Sequence, residues 1–209
     1  MTVSPDVIDH LVGIEPGSTL DALRRSRPAT RDSVQRSFLA LFQPDEAGDV
    51  GLTDRLTVAA FVAGLHKVDI VTAFYIEALA GRDKALAMAV AGEIEAAAGS
   101  GPYGSYPVGP LSTEDLPGPT FRVDAAARAR FGERQAAALG HAHLLVLHPR
   151  DAGSAALQAL IDAGWTSDAV VTLSQLVAFL SFQIRVVAGL QALAGVAVTG
   201  AGATIETTL

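Results

Sequence analysis

Apolar residues recur along this chain every three to four positions, the spacing that gathers them on one face of an α-helix. Alternation with a period of two, the mark of a half-buried strand, is rare. Over 31–42, Val34, Phe38, Leu41 and Phe42 fall on one face, and Pro44 ends the run. Thr53 and Asp54 are placed to cap a helix reaching about Leu65, with Leu56, Ala59, Ala60, Ala63 and Gly64 at helical spacing. Further helices are predicted over 68–80, stopping at Gly81, and over 83–98. The second half predicts helices over 124–147, ending before Pro149, over 152–163, and over 167–194, ending at Gly195. The expected fold class is all-α.

Residues 99–120 break this pattern. They hold five of the ten prolines and five glycines, and neither a regular helix nor a central strand suits that composition. The segment divides the chain into helical units at 1–98 and 121–209. At 22 residues it is long for a connection, which leaves open a lid or a plain linker. Tyr103 and Tyr106 within it suit either role.

The two halves also resemble each other. At a shift of 114, GLTDRLTVAAFVAGLHKVDIVTAFYIEALAG from Gly51 meets WTSDAVVTLSQLVAFLSFQIRVVAGLQALAG from Trp165. At a shift of 105, SFLALFQP at Ser37 meets AHLLVLHP at Ala142. Two pseudo-repeats related by a pseudo-twofold are expected, with a nine-residue insertion in the second.

Composition narrows the chemistry. Half of the 209 residues are hydrophobic and the net charge is -7, which excludes a wholly disordered chain. An acidic pI near 5.1 argues against nucleic acid as a partner. There is no cysteine, so disulfides, thiolate metal sites and thiol redox chemistry are excluded outright. The first residues show neither a basic nor an apolar leader segment, so a cytoplasmic location and no membrane partner are expected. Residues 186–205 carry no charge and approach the length of a membrane span. Gln191, two threonines and four glycines favour instead a buried helix with a glycine-rich tail.

The run from Arg55 to Tyr75, RLTVAAFVAGLHKVDIVTAFY, resembles the core motif of the alkylhydroperoxidase-like, or carboxymuconolactone decarboxylase, superfamily, R-E-L-V-A-L-A-V-A-x-x-N-x-C-x-x-C-x-x-x-H. The flanking RPATRDSVQRSFLALFQP and SQLVAFLSFQIRVVAGLQAL resemble its peroxidase-related branch, in particular its cysteine-free members. The resemblance implies a helical fold of two repeats and a homo-oligomer, trimer or hexamer. It also implies the company of a cysteine-bearing alkylhydroperoxidase-like paralogue. The family's two cysteines fall on Val68 and Val71, its histidine on Tyr75 and its proton-relay glutamate on Leu56. Valine cannot attack a peroxide and leucine cannot move a proton, so thiol peroxidase chemistry is not expected. Two readings remain. One is a non-redox structural, ligand-binding or partner subunit. The other is a cysteine-independent acid/base enzyme of the lactone decarboxylase type, acting on a small anionic substrate.

Candidate residues follow. His66 and Asp69 stand three apart, so on one helix the carboxylate orients the imidazole for proton transfer; the plainer reading is a junction histidine with a local hydrogen bond. Tyr75 either donates to a substrate oxygen or fills space. Arg185, between Ile184 and Val186, calls for a partner: a carboxylate across a subunit interface or an anionic ligand. Gln175 and Gln183 either complete a polar pocket around it or satisfy one another. His141 and His143 point about 200° apart on a helix and cannot chelate one ion together, and His148 reads as a helix-end residue, so no metal is expected. No cofactor motif is present, since the glycines of 99–109 lack a nucleotide-loop setting. An enzyme reading requires His66, Tyr75 and Arg185 to share one cavity.

Overall fold

The computed structural model describes residues 6–46 and 48–200. These form nine α-helices and no strand, so the all-α class holds. They are α1 (Val7–Val12), α2 (Thr19–Arg25), α3 (Pro28–Phe42), α4 (Leu52–Leu65), α5 (Asp69–Ala80), α6 (Lys84–Ala96), α7 (Ala125–Leu147), α8 (Ser154–Asp162) and α9 (Ser167–Gly200). Residues 1–5, residue 47 and residues 201–209, with the end of the tail expected at 186–205, lie outside the described residues.

The core is organised around α4. Every residue from Arg55 to Ala63 is buried, because α3, α5, α6, α7 and α9 all pack against this helix. Its alanines keep the cylinder narrow enough for that. At Gly64 the approach is closest: a Cβ there would lie 2.5 Å from Ile94 of α6. Helices from both sides of the proline-rich segment therefore share one apolar core. Arg55 is buried in it and stays satisfied by donating Nε to the Val50 carbonyl at 2.8 Å and Nη1 to the Leu41 carbonyl at 2.7 Å. That ties α4 to an otherwise unfilled acceptor at the end of α3.

Several predicted boundaries shift for local reasons. The α4 N-cap is Gly51, and Asp54 reaches back to accept the Gly51 N–H at 3.2 Å, so Thr53 lies inside the helix. Within α7, Gly132 adopts φ 76°, which breaks the helix predicted as continuous. The last helix runs through Gly195 to Gly200, since an isolated glycine weakens but does not end a helix. Neither α1 nor α2 was expected. Both carry side-chain caps, from Asp6 and Ser18, and are held by Asp6, Asp9 and Asp21 facing Arg24 and Arg31.

The two segments aligned at a shift of 114 follow different courses. In the first, His66 to Val68 make a turn between α4 and α5; their counterparts Leu180 to Phe182 lie inside unbroken α9. The shorter match at a shift of 105 keeps its geometry. Gln43 and His148 end α3 and α7 ahead of a proline with nearly the same backbone, φ -139°, ψ 49° and φ -128°, ψ 46°.

Within α9, the stretch Ser167–Gly195 is long and apolar enough to cross a membrane by length and composition, and 39% of its most apolar window is buried inside the protein. One side of it forms core through Leu173, Leu176, Leu180, Ile184 and Val187.

Candidate functional site

The turn between α4 and α5 concentrates the unusual features. Leu65 ends α4, His66 caps it, and Lys67 takes φ 58°, the only left-handed non-glycine backbone among the described residues. Held positive φ on a long side chain is strained and clusters at functional sites. Beside this turn lies a cavity of about 710 Å³. Its walls are His66 and Lys67, the α9 residues Ser174, Ala178, Ser181 and Arg185, the end of α7 at Leu145 to Leu147, and Gly99 to Pro102.

The electrostatics of this cavity are one-sided. Three basic side chains line it, and no acidic one does. His66 Nε2 sits 3.3 Å from Ser181 Oγ. Burial, with the Arg185 charge adding to it, pushes the His66 pKa below the ordinary histidine value, so the ring is neutral at pH 7. Lys67 Nζ lies 3.5 Å from Ser100 Oγ.

The proline-rich segment forms a fixed wall here. The Tyr103 N–H donates to the Leu147 carbonyl at 2.6 Å, and Gly104 pairs with Leu116 in an antiparallel bridge. Gly101 is needed because a Cβ there would lie 2.7 Å from the Leu147 oxygen. His148 fastens the far end, with Nε2 2.9 Å from the Pro119 carbonyl and Nδ1 3.1 Å from Asp151 Oδ2.

The structure brings only some of the expected residues together. His66 and Arg185 share the cavity, but Tyr75 does not. Tyr75 is wholly buried, its hydroxyl donates to Gln183 Oε1 at 2.7 Å, and burial raises its pKa far above the phenol value. It lines a second cavity of about 610 Å³ with Leu56, Phe38 and Phe42. The pairing of His66 with Asp69 does not form: the helix breaks between them, and Asp69 is exposed at the start of α5. Arg185 is exposed, not buried in apolar surroundings, and its Nη1 donates to the Ser181 carbonyl at 2.8 Å. Gln183 points into the core and Gln175 to solvent, so neither completes a pocket around Arg185. Val71 is fully buried, and Val68 lines only a shallow surface depression.

His141 and His143 are both buried. His141 Nε2 lies 3.4 Å from Ser174 Oγ, while His143 stacks on Phe121 with ring centroids 5.2 Å apart. Among the described residues, no group of three side chains could hold a metal ion. Sequence reasoning passed over Lys67, Ser174, Ser181 and the 99–102 wall. A lysine between two helical patterns, directly after a candidate histidine, was the available signal.

No family model, curated protein or solved structure matches this chain.

Proposed function

We propose that this protein is a non-redox, ligand-binding relative of the alkylhydroperoxidase-like superfamily, and that its ligand is a small organic anion held between α4, α7 and α9. One observation carries the reading: a 710 Å³ cavity lined by His66, Lys67 and Arg185 and by no acid, in a protein of net charge -7. Lys67 and Arg185 place two cations in one hollow of an acidic molecule, at a cost in self-repulsion that a bound anion relieves, and neutral His66 adds a ring nitrogen for hydrogen bonding. Hydroxyls of Ser174 and Ser181 add neutral donors, and Leu145, Leu147 and Val177 supply apolar wall for a carbon skeleton. The superfamily reading rests on the motif from Arg55 to Tyr75, and a partner role beside a cysteine-bearing paralogue rests on that same resemblance.

A panel of small mono- and dicarboxylates, followed by amide NMR shifts and calorimetry, tests the proposal. Saturable binding, weaker at high salt and at least about tenfold weaker in Arg185→Gln and Lys67→Gln, supports it. No saturable binding, or binding indifferent to both substitutions, overturns it.

A second reading has one observation in its favour. His66 is held unprotonated beside a cation, the state a general base needs when its substrate is an anion. Turnover of a bound lactone or keto acid, lost in His66→Gln with binding kept, would establish it. With neither Asp69 nor Tyr75 at the cavity, the imidazole would act without a carboxylate behind it and without a phenol acid.

A further inference from the structure

The outward side of α9 carries an ordered stripe. Asp168, Val171, Gln175, Ala178, Phe182 and Arg185 are all exposed and follow one another at steps of three, four, three, four and three. This is the heptad spacing of a helix seam, running over about 26 Å of helix axis. Two large apolar side chains stand in it at high exposure, Val171 at 55% and Phe182 at 42%. The neighbouring surface on α3 presents Ala29, Thr30 and Ser33 beside Phe182, small side chains that let another helix come near.

We propose that this stripe is the interface of a homodimer in which α9 pairs antiparallel with α9 of a second copy about a twofold axis. The stripe is complementary to its own reverse. With Gln175 opposite Ala178 of the second copy, Val171 meets Phe182 and Asp168 meets Arg185, and the symmetry makes each contact twice. Every layer then sets an a position against a d position, as antiparallel helix pairs require. Parallel pairing would set Asp168 on Asp168 and Arg185 on Arg185, so charge selects the direction as well as the partner. Both charges are available. Arg185 uses one donor on its own helix, and Asp168 makes no ion pair among the described residues. A guanidinium has five N–H donors, so pairing leaves some for the adjoining cavity. The two Phe182–Val171 layers flank the central Gln175–Ala178 layers and are closed off from solvent by the outer Asp168–Arg185 pairs, a position where an aromatic anchor contributes strongly.

Sedimentation equilibrium of the full chain across concentration tests this, with circular dichroism confirming that each variant stays folded. The wild type is expected to dimerise, and Phe182→Asp to raise the dissociation constant about 30-fold or more. Asp168→Arg and Arg185→Asp should each weaken the dimer by placing like charges together. The double swap, D168R with R185D, should restore it. A wild-type monomer, a trimer, an association indifferent to the charge swaps, or a monomer that instead partitions onto vesicles each overturns the proposal. Carboxylate titration of the double swap separates this from the ligand reading, since restored dimerisation with binding still lost leaves both in place. Restored dimerisation where the wild type binds no anion removes only the ligand.

Discussion

Removing the Tyr75 hydroxyl isolates one buried polar pair and gives its energy a sign. Tyr75 and Gln183 are both wholly buried, joined by a 2.7 Å hydrogen bond, and Gln183 Nε2 finds no partner among the described residues. Tyr75→Phe therefore leaves a dry amide with no hydrogen bond at either end. A stranded buried group costs about 1–3 kcal/mol. Gln183→Leu also strands the hydroxyl, but it removes an amide already half unsatisfied, so its cost is smaller, about 0–2 kcal/mol. The double variant buries only apolar surface and should equal or exceed the wild type. With the double variant at wild-type stability, the coupling equals the sum of the two single losses, about 1–5 kcal/mol. For a chain of this size, 2 kcal/mol moves Tm by about 4–8 °C. Urea denaturation of all four proteins at pH 7 measures the cycle. Additive losses, or a double variant weaker than either single one, would refute the reasoning. A Tyr75→Phe protein of unchanged stability that has lost carboxylate binding would show instead that the hydroxyl serves a ligand.

Three further outcomes are expected. Burial, aided by the nearby His148, pushes the His143 pKa down to about 4, against about 6.5 for an unfolded histidine. The unfolded chain thus binds a proton between those values that the folded one refuses, so stability falls as pH drops from about 6.5 to 4. The loss is about 1.5 kcal/mol after halving the full shift for relaxation, read as the difference in acid titration between wild type and His143→Gln. Arg55→Met strands the Val50 and Leu41 carbonyls and should cost about 2–4 kcal/mol in urea denaturation, with the fold retained at low temperature. Lys67→Gly relieves the φ of 58° and should raise stability by up to about 1 kcal/mol while weakening carboxylate binding; a parallel loss of both would contradict the strain reading.

How far the sequence could be read depended on the range of the forces involved. Apolar periodicity located α3 to α9 because each of these helices buries a face, and proline and glycine marked most of their ends. Local pattern missed α1 and α2, which are short and held by ion pairs linking positions 15 and more residues apart in several cases, such as Asp6 with Arg24 and Arg31. His66 and Arg185 were legible as unusual residues, yet only the fold could bring them together from 119 positions apart in the sequence. Asp69 was misplaced because a helical projection assumes the helix continues, and the strained Lys67 backbone ends it. Gln183 was misassigned because one step along α9 turns a side chain by about 100°, and two steps from Arg185 lead into the core.

The enclosure of α4 sets an order on the birth of this protein. A helix buried on all sides cannot be finished by its sequence neighbours, and α9, one of its walls, is made after every other described helix. Until residues near 190 leave the ribosome, the apolar run from Leu56 to Leu65 has an uncovered side. A nascent chain halted before α9 should therefore be held by a chaperone, or aggregate, while emergence of α9 should free it within one cooperative step.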